Sequence, residues 1–211
     1  MPSAAPLLYD TYYHIYNRGN NGDNIFIQER NYEHFMNLYF RYTDPIAETF
    51  AYCLLRNHFH VSLRTRSEEE IRETLKVSFA SKPLGSDPLR SDYISRRFSD
   101  FFNAYAKSVN KAYGRTGSLF EHPFRRVPIT TDRQFWNVIA YIHQNPQKHR
   151  FVKDFRDWKW SSYGIIPTGE PTKLKREVVL DWFGGEHSYL ELHKQWVSDA
   201  DAKWFAGDDF D

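Results

Sequence analysis

The sequence predicts a mixed α/β (α+β) fold, an antiparallel sheet with helices packed on it, and three observations carry that expectation. Residues 57–64 alternate polar and apolar side chains without a break, which is the period of a strand. The stretch before them, 49–56, is apolar on both sides, as in a strand covered on both faces. It runs into the first through Arg56-Asn57, like one arm of an antiparallel hairpin. Three longer stretches instead repeat apolar residues at helical spacing. At 211 residues the chain suits one domain with a sizeable core and a small appendage.

Taken in order, residues 11–17 are rich in Tyr and β-branched side chains and predict a first strand, closed by the turn signal Arg18-Gly19-Asn20-Asn21-Gly22. Arg18 is a candidate loop cation near a ligand, or a plain turn residue. Tyr32, Phe35, Met36, Tyr39 and Phe40 recur at helical spacing, so residues 31–42 predict an amphipathic helix that Asp44-Pro45 ends. Ser67 and Glu70 have the spacing of a capping box and open a helix to about residue 79. Residues 81–88, with two prolines and a glycine, read as a linker. A longer helix spans 91–113, with Phe98, Phe101, Phe102 and Tyr105 on its apolar stripe and Gly114 as its stop. Lys107 and Lys111 project away from that stripe.

Residues 119–129 read as extended, and Pro123 confines them to an edge. Thr131 and Gln134 form a second capping box, opening a helix that runs to Asn145 and that Pro146 should stop. Phe135, Val138, Ile139 and Ile142 are its buried stripe. Tyr141 and Asn145, four residues apart, share one flank of it, and His143 lies on the opposite flank. In isolation Tyr141 reads as a core-edge tyrosine and Asn145 as a helix-end residue. Residues 153–163 should bring Trp158 and Trp160 over the core. A last helix over 188–197 precedes an acidic tail.

Composition excludes some chemistries. Cys53 is the single cysteine and sits in an apolar run, so no disulfide or cysteine-based zinc site forms within one chain. Neither a signal-peptide pattern nor an apolar run of membrane-spanning length occurs, so the expectation is a cytoplasmic protein with no membrane contact. The net charge of +1 averages unlike regions. The last 13 residues hold five Asp and one Lys, whereas residues 90–126 carry eight bases against three acids. That basic run is either an ordinary solvated face or a phosphate-binding surface.

On the strand 57–64, Phe59, Val61 and Leu63 share one face, and His58, His60, Ser62 and Arg64 share the other. Two imidazoles on one strand face, about 6.6 Å apart at the Cα atoms, can hold one metal ion. With nine histidines in the chain a chance His-x-His is not rare, so the placement on the polar, solvent-facing side carries more weight than the spacing.

Together, Asn57-His58-Phe59-His60, Tyr141-Ile142-His143-Gln144-Asn145-Pro146 and Asp157-Trp158-Lys159-Trp160-Ser161-Ser162-Tyr163 resemble, in order and spacing, the single-tyrosine HUH transposases, in particular the REP-associated tyrosine transposase branch. The resemblance spans residues 9–163. It implies a ferredoxin-like, RRM-like sandwich with the histidine pair on a central strand and the tyrosine on a helix packed nearby. Residues 1–165 would be the catalytic domain and 166–211 a helical C-terminal extension. His58 and His60 match the metal-binding pair, Tyr141 the nucleophile and Asn145 the third ligand, with Gln144 close enough to compete for that role. The implied cofactor is a divalent metal, Mg²⁺ or Mn²⁺, although intrinsic affinity at such ligands favours Zn²⁺ or Cu²⁺.

The implied reaction is cleavage and rejoining of single-stranded or hairpin DNA through a 5′-phosphotyrosine, with a homodimer left open as the assembly. Arg18, Arg64, Lys107, Lys111, Arg125 and Arg126 are the candidate DNA contacts. Two other readings stand beside it. One is a non-catalytic single-strand binder that stacks bases on an RRM-like sheet. The other is a metal-dependent hydrolase using water, which has no need of Tyr141. The motifs explain neither residues 67–89 nor the chain after Tyr163.

Overall fold

The alternating segments pair into one four-stranded antiparallel sheet in a computed structural model that describes residues 6–79, 92–198 and 202. The strands are β1 (Tyr12–Arg18), β2 (Ala47–Leu55), β3 (His58–Thr65) and β4 (Arg125–Ile129), in the order β2-β3-β1-β4. Helices α1 (Glu29–Thr43), α2 (Glu68–Phe79), α3 (Tyr93–Tyr113), α4 (Asp132–Lys148), α5 (Arg176–Phe183) and α6 (Glu186–His193) complete the described chain. With α1 between β1 and β2, and α3 between β3 and β4, this is the ferredoxin-like βαββαβ order. Tyr16 faces His60 across the central pair, and Arg18 faces His58.

One sheet face is closed by α1 and α3. Phe59, Val61 and Leu63 of β3 share a core there with Phe35, Phe101 and Tyr105. The other face is closed by α4, whose Phe135, Val138, Ile139 and Ile142 meet Phe50, Ala51, Cys53 and Leu55 of β2. This corrects one expectation. The polar side of β3 does not face solvent, because α4 lies over it, and His60 and Ser62 are fully buried. The alternation in β3 marks two different buried environments, one apolar and one polar. Among the described residues no helix is long and apolar enough to cross a membrane.

Both capping boxes form. The Ser67 amide donates to Glu70 at 2.7 Å, and the Gln134 amide donates to Thr131 Oγ1 at 3.2 Å. Pro146 does not stop α4, which continues to Lys148. Proline removes one donor only, and the turn beyond it is held by His149 N to Asn145 O at 2.9 Å and Phe151 N to Pro146 O at 2.8 Å. The last helix begins two residues earlier than its spacing suggested, and α5 precedes it without having been anticipated. Gly184 and Gly185, at φ of 77° and 104°, make the turn between them in a region that side chains disfavour. The 81–88 linker and the acidic tail after 202 lie outside the described residues.

Residues beyond 165 share the core under α4. Ile166, Val179, Phe183 and Tyr189 pack with it, and a chain of buried histidines ties α6 to α4. His193 Nδ1 donates to the Tyr189 carbonyl at 2.7 Å, so its Nε2 accepts from His143 Nδ1 at 2.8 Å, and His143 Nε2 accepts from Ser162 Oγ at 2.8 Å. Burial holds the His143 proton affinity well below the usual value and takes that of His193 down to about 4, so both stay neutral, as this chain of bonds requires. His193→Leu keeps bulk but leaves the His143 N–H only a long 3.4 Å contact to the Tyr189 hydroxyl. It should lower stability by about 1–3 kcal/mol, read as a lower urea midpoint at unchanged m-value.

Candidate active site

β1 and β3 set the floor of the site. Directly paired residues point to the same side of a sheet, so Tyr16 and His60 lie together, as do Arg18 and His58. α4 supplies the roof, placing Tyr141, Asn145 and His149 one helical turn apart along one flank. The Tyr141 ring stands edge-on to His60 at 5.6 Å between centroids and to His14 at 6.1 Å. Its residue is only 2% exposed, and the Lys148 ammonium lies 5.4 Å from its ring centre.

Three groups at this junction keep unpaired atoms. His58 Nδ1 is bonded to Asn57 Oδ1 at 2.7 Å and His60 Nδ1 to His14 Nε2 at 3.0 Å, while both Nε2 atoms are buried without a hydrogen-bond partner. Asn145 donates its Nδ2 to the Tyr141 carbonyl at 3.1 Å, and its Oδ1 is buried and also without one. Buried polar atoms are nearly always paired, so two bare imidazole nitrogens and a bare amide oxygen on facing elements leave three acceptors available to a ligand. Burial, then the neighbouring His149 and Arg18, take the His58 proton affinity down to about 3, partly opposed by the nearby Asn145 amide. Burial likewise holds His60 well below its ordinary value, reinforced by His14 and His58. Neutral imidazole is the form that ligates a metal.

The donor set therefore fits a divalent ion held by His58, His60 and Asn145. Among the described residues no group of three His, Cys, Asp or Glu side chains is placed to hold one, so the amide oxygen is needed to complete a protein set of three. Gln144 is engaged elsewhere, by the segment after α4. Its Nε2 donates to the carbonyls of His193 and Gln195 at 3.1 and 2.7 Å, and its Oε1 accepts from the Val197 amide at 3.2 Å.

The basic candidates separate into three places. Arg18 stands beside His58, with a 3.7 Å ion pair to Glu121, and Arg125 pairs with Tyr16 and so projects on the site face at the sheet edge. Arg126 pairs with Ile15 and projects to the opposite face, where its guanidinium covers the Phe124 ring at 3.9 Å. Lys107 and Lys111 are exposed on α3, across the sheet from Tyr141. Arg64 lies six residues along β3 from His58, about 20 Å away. Its guanidinium is held by Asp10, Glu48 and Glu70 at 2.6–3.1 Å, which makes it a structural cation and not an open phosphate contact.

Neighbours of the site to which the sequence assigned no role are His14, Tyr16, Lys148 and His149, together with Asn57, which stood in the histidine motif without one. The alternation Tyr12-His14-Tyr16-Arg18 in the first strand was the available signal for His14. His149 follows Asn145 by one helical turn, its ring is 4.8 Å from that of His58, and its Nε2 is buried without a partner. The expected stop at Pro146 hid it.

No protein-family model matches the chain. A Haemophilus influenzae protein carrying the name REP-associated tyrosine transposase is 25% identical over 141 residues, covering 65% of this chain and 67% of that protein. A solved structure of a REP-associated tyrosine transposase bound to a REP hairpin aligns with a TM-score of 0.55 and 19% identity, covering 78% of this chain and 84% of that one. At that identity the second likeness is one of fold.

Proposed function

We propose, from a chain that resembles the REP-associated tyrosine transposases in both sequence and fold, that it is a metal-dependent transesterase acting on single-stranded or hairpin DNA. The observation that carries the reading is three buried, unpaired atoms, His58 Nε2, His60 Nε2 and Asn145 Oδ1, on facing elements where the two imidazoles lie 5.2 Å apart and the Tyr141 ring stands edge-on to His60 at 5.6 Å. His58, His60 and Asn145 would hold a Mg²⁺ or Mn²⁺ ion there, which would supply Lewis-acid stabilisation of charge on the phosphate oxygens. The phenolic oxygen of Tyr141 forms the new bond to phosphorus, and the bond from phosphorus to the 3′-oxygen breaks. The phenol's proton passes to solvent, the 3′-oxygen takes a proton from solvent and leaves as a free 3′-OH, and the 5′-phosphate stays on tyrosine. Tyrosine ionises at about pH 10 when unperturbed, so its attack on a phosphodiester at neutral pH needs assistance.

The non-catalytic binder reading is weakened by the fold, since α1 and α3 cover one sheet face and α4 the other, leaving no open platform for stacked bases. The test is incubation with a pool of structured genomic single strands in Mg²⁺ or Mn²⁺, followed by denaturing electrophoresis and sequencing of any DNA that stays attached. Cleaved DNA without an attached protein supports the hydrolase instead. Absence of both cleavage and adduct defeats the proposal.

A quantitative corollary concerns the two arginines of β4. Arg125→Ala should weaken binding and flatten the salt dependence by about 0.7 log unit for one lost single-strand contact. Arg126→Ala should leave the slope nearer wild type, because its guanidinium sits on Phe124 on the far face. Fluorescence anisotropy over a salt series reads both. Equal slopes for Arg125→Ala and wild type return Arg125 to a solvated edge.

A further inference from the structure

We propose that His14 and Asn57 are positioning residues, which hold His60 and His58 as their Nδ1–H tautomers and so turn both Nε2 lone pairs toward one ion. The proposal rests on the metal-dependent reading above, but concerns residues to which that reading gives no part. The Asn57 Oδ1 can only accept, so the His58 Nδ1 at 2.7 Å carries the proton and its Nε2 is bare. His60 is arranged in the same way by a different element. His14 Nε2 lies 3.0 Å from His60 Nδ1, and the two rings stack at 5.1 Å with planes 16° apart.

One proton is shared along that contact, and its position decides what His60 can do. If His60 Nδ1 donates, its Nε2 is a ligand. If His14 donates, His60 carries its hydrogen on Nε2, which has no hydrogen-bond partner, and no cation can bind there. A buried N–H left unpaired costs about 1–3 kcal/mol, and a free histidine side chain prefers that same Nε2–H form, so the partner has to override an intrinsic preference. The hydrogen bond at one ring nitrogen sets what the other presents, which is how outer partners of metal histidines act in general. His14 is fully buried and stacked on Tyr16 at 4.9 Å, with the Tyr141 ring edge-on at 6.1 Å, so it fixes the plane of His60 as well as its tautomer.

The test begins without metal. Imidazole ¹H–¹⁵N correlation spectra of the metal-free protein should report the hydrogen on Nδ1 in both His58 and His60. His14→Phe keeps a stacked ring and removes the acceptor, so His60 should move toward the Nε2–H form and Mn²⁺ affinity should fall 10–100-fold. His14→Gln restores an acceptor and should recover much of that loss, which repacking alone does not explain. A wild-type His60 protonated at Nε2 overturns the proposal, as does His14→Phe binding Mn²⁺ as tightly as wild type. If wild type takes up no Mn²⁺, the metal-dependent reading fails on its own, and the metal-free tautomers still decide the orienting role. Should His14→Phe not fold, the wild-type spectrum and Asn57→Leu, with His58 as its reporter, carry the same decision.

Discussion

Tyr141→Phe should abolish the covalent protein–DNA adduct entirely while leaving the folded protein, its metal binding and its DNA binding in place. The substitution removes one oxygen and keeps the ring edge-on to His60 and His14. Its cost in stability should be that of a lost hydroxyl contact, about 0.5–1.5 kcal/mol. Its cost in covalent chemistry is complete, because a phenyl ring offers no atom to bond to phosphorus. The measurement is denaturing electrophoresis of labelled DNA after incubation with each protein, beside a thermal melt.

The fold also narrows what a surviving adduct would mean. Tyr105 and Tyr113, on the long basic helix, lie across the sheet, where their hydroxyls donate to the Ile25 carbonyl at 2.7 Å and to Asn31 Oδ1 at 2.9 Å. Neither is placed to replace Tyr141. Tyr16 is, since it stacks on His60 at 5.5 Å. An adduct that persists in Tyr141→Phe and vanishes in Tyr141→Phe/Tyr16→Phe moves the nucleophile to β1.

Local patterns were legible where one physical rule acted alone. Strict alternation located β3, helical spacing located α1, α3 and α4, and two capping boxes located helix starts that formed as expected. The i, i+4 relation of Tyr141 and Asn145, with His143 on the other flank, needs only the helical period, and the folded helix keeps it: Tyr141 faces His60, and His143 faces α6. The misreadings arose where a second layer of packing intervened. A polar face on a strand ordinarily means solvent, but α4 covers this one. No property of His58 or Ser62 in the sequence announces a helix eighty residues away. Pro146 was read by its backbone cost alone, although the turn after it is held by bonds from His149 and Phe151. Gln144 and Asn145 could not be separated by sequence, because their roles differ only in what α6 and the following segment offer to Gln144.

The second large effect is expected at His58. His60 is the poorer site for this test, because its side chain is fully buried and bonded to His14, so His60→Ala opens a cavity and strands a partner, at about 2–4 kcal/mol. His58 is half-buried at the rim, and its Nδ1 is bonded to the adjacent Asn57. His58→Ala should therefore cost little in folding and much in cleavage. Lewis-acid assistance is worth several kcal/mol, so the loss should be roughly 10²–10³-fold. Chelator gives the same loss in wild type with every side chain intact, which separates a missing ion from a disturbed fold.

A binding readout completes the argument. An ion that binds the folded state alone stabilises it by about 2.7 kcal/mol at a hundred times its dissociation constant. Mn²⁺ should thus raise the melting temperature of wild type and leave His58→Ala nearly unmoved. Wild type that melts at the same temperature with Mn²⁺ or with chelator, and cleaves DNA equally in both, would remove the ion from this site and leave its unpaired nitrogens to a different ligand.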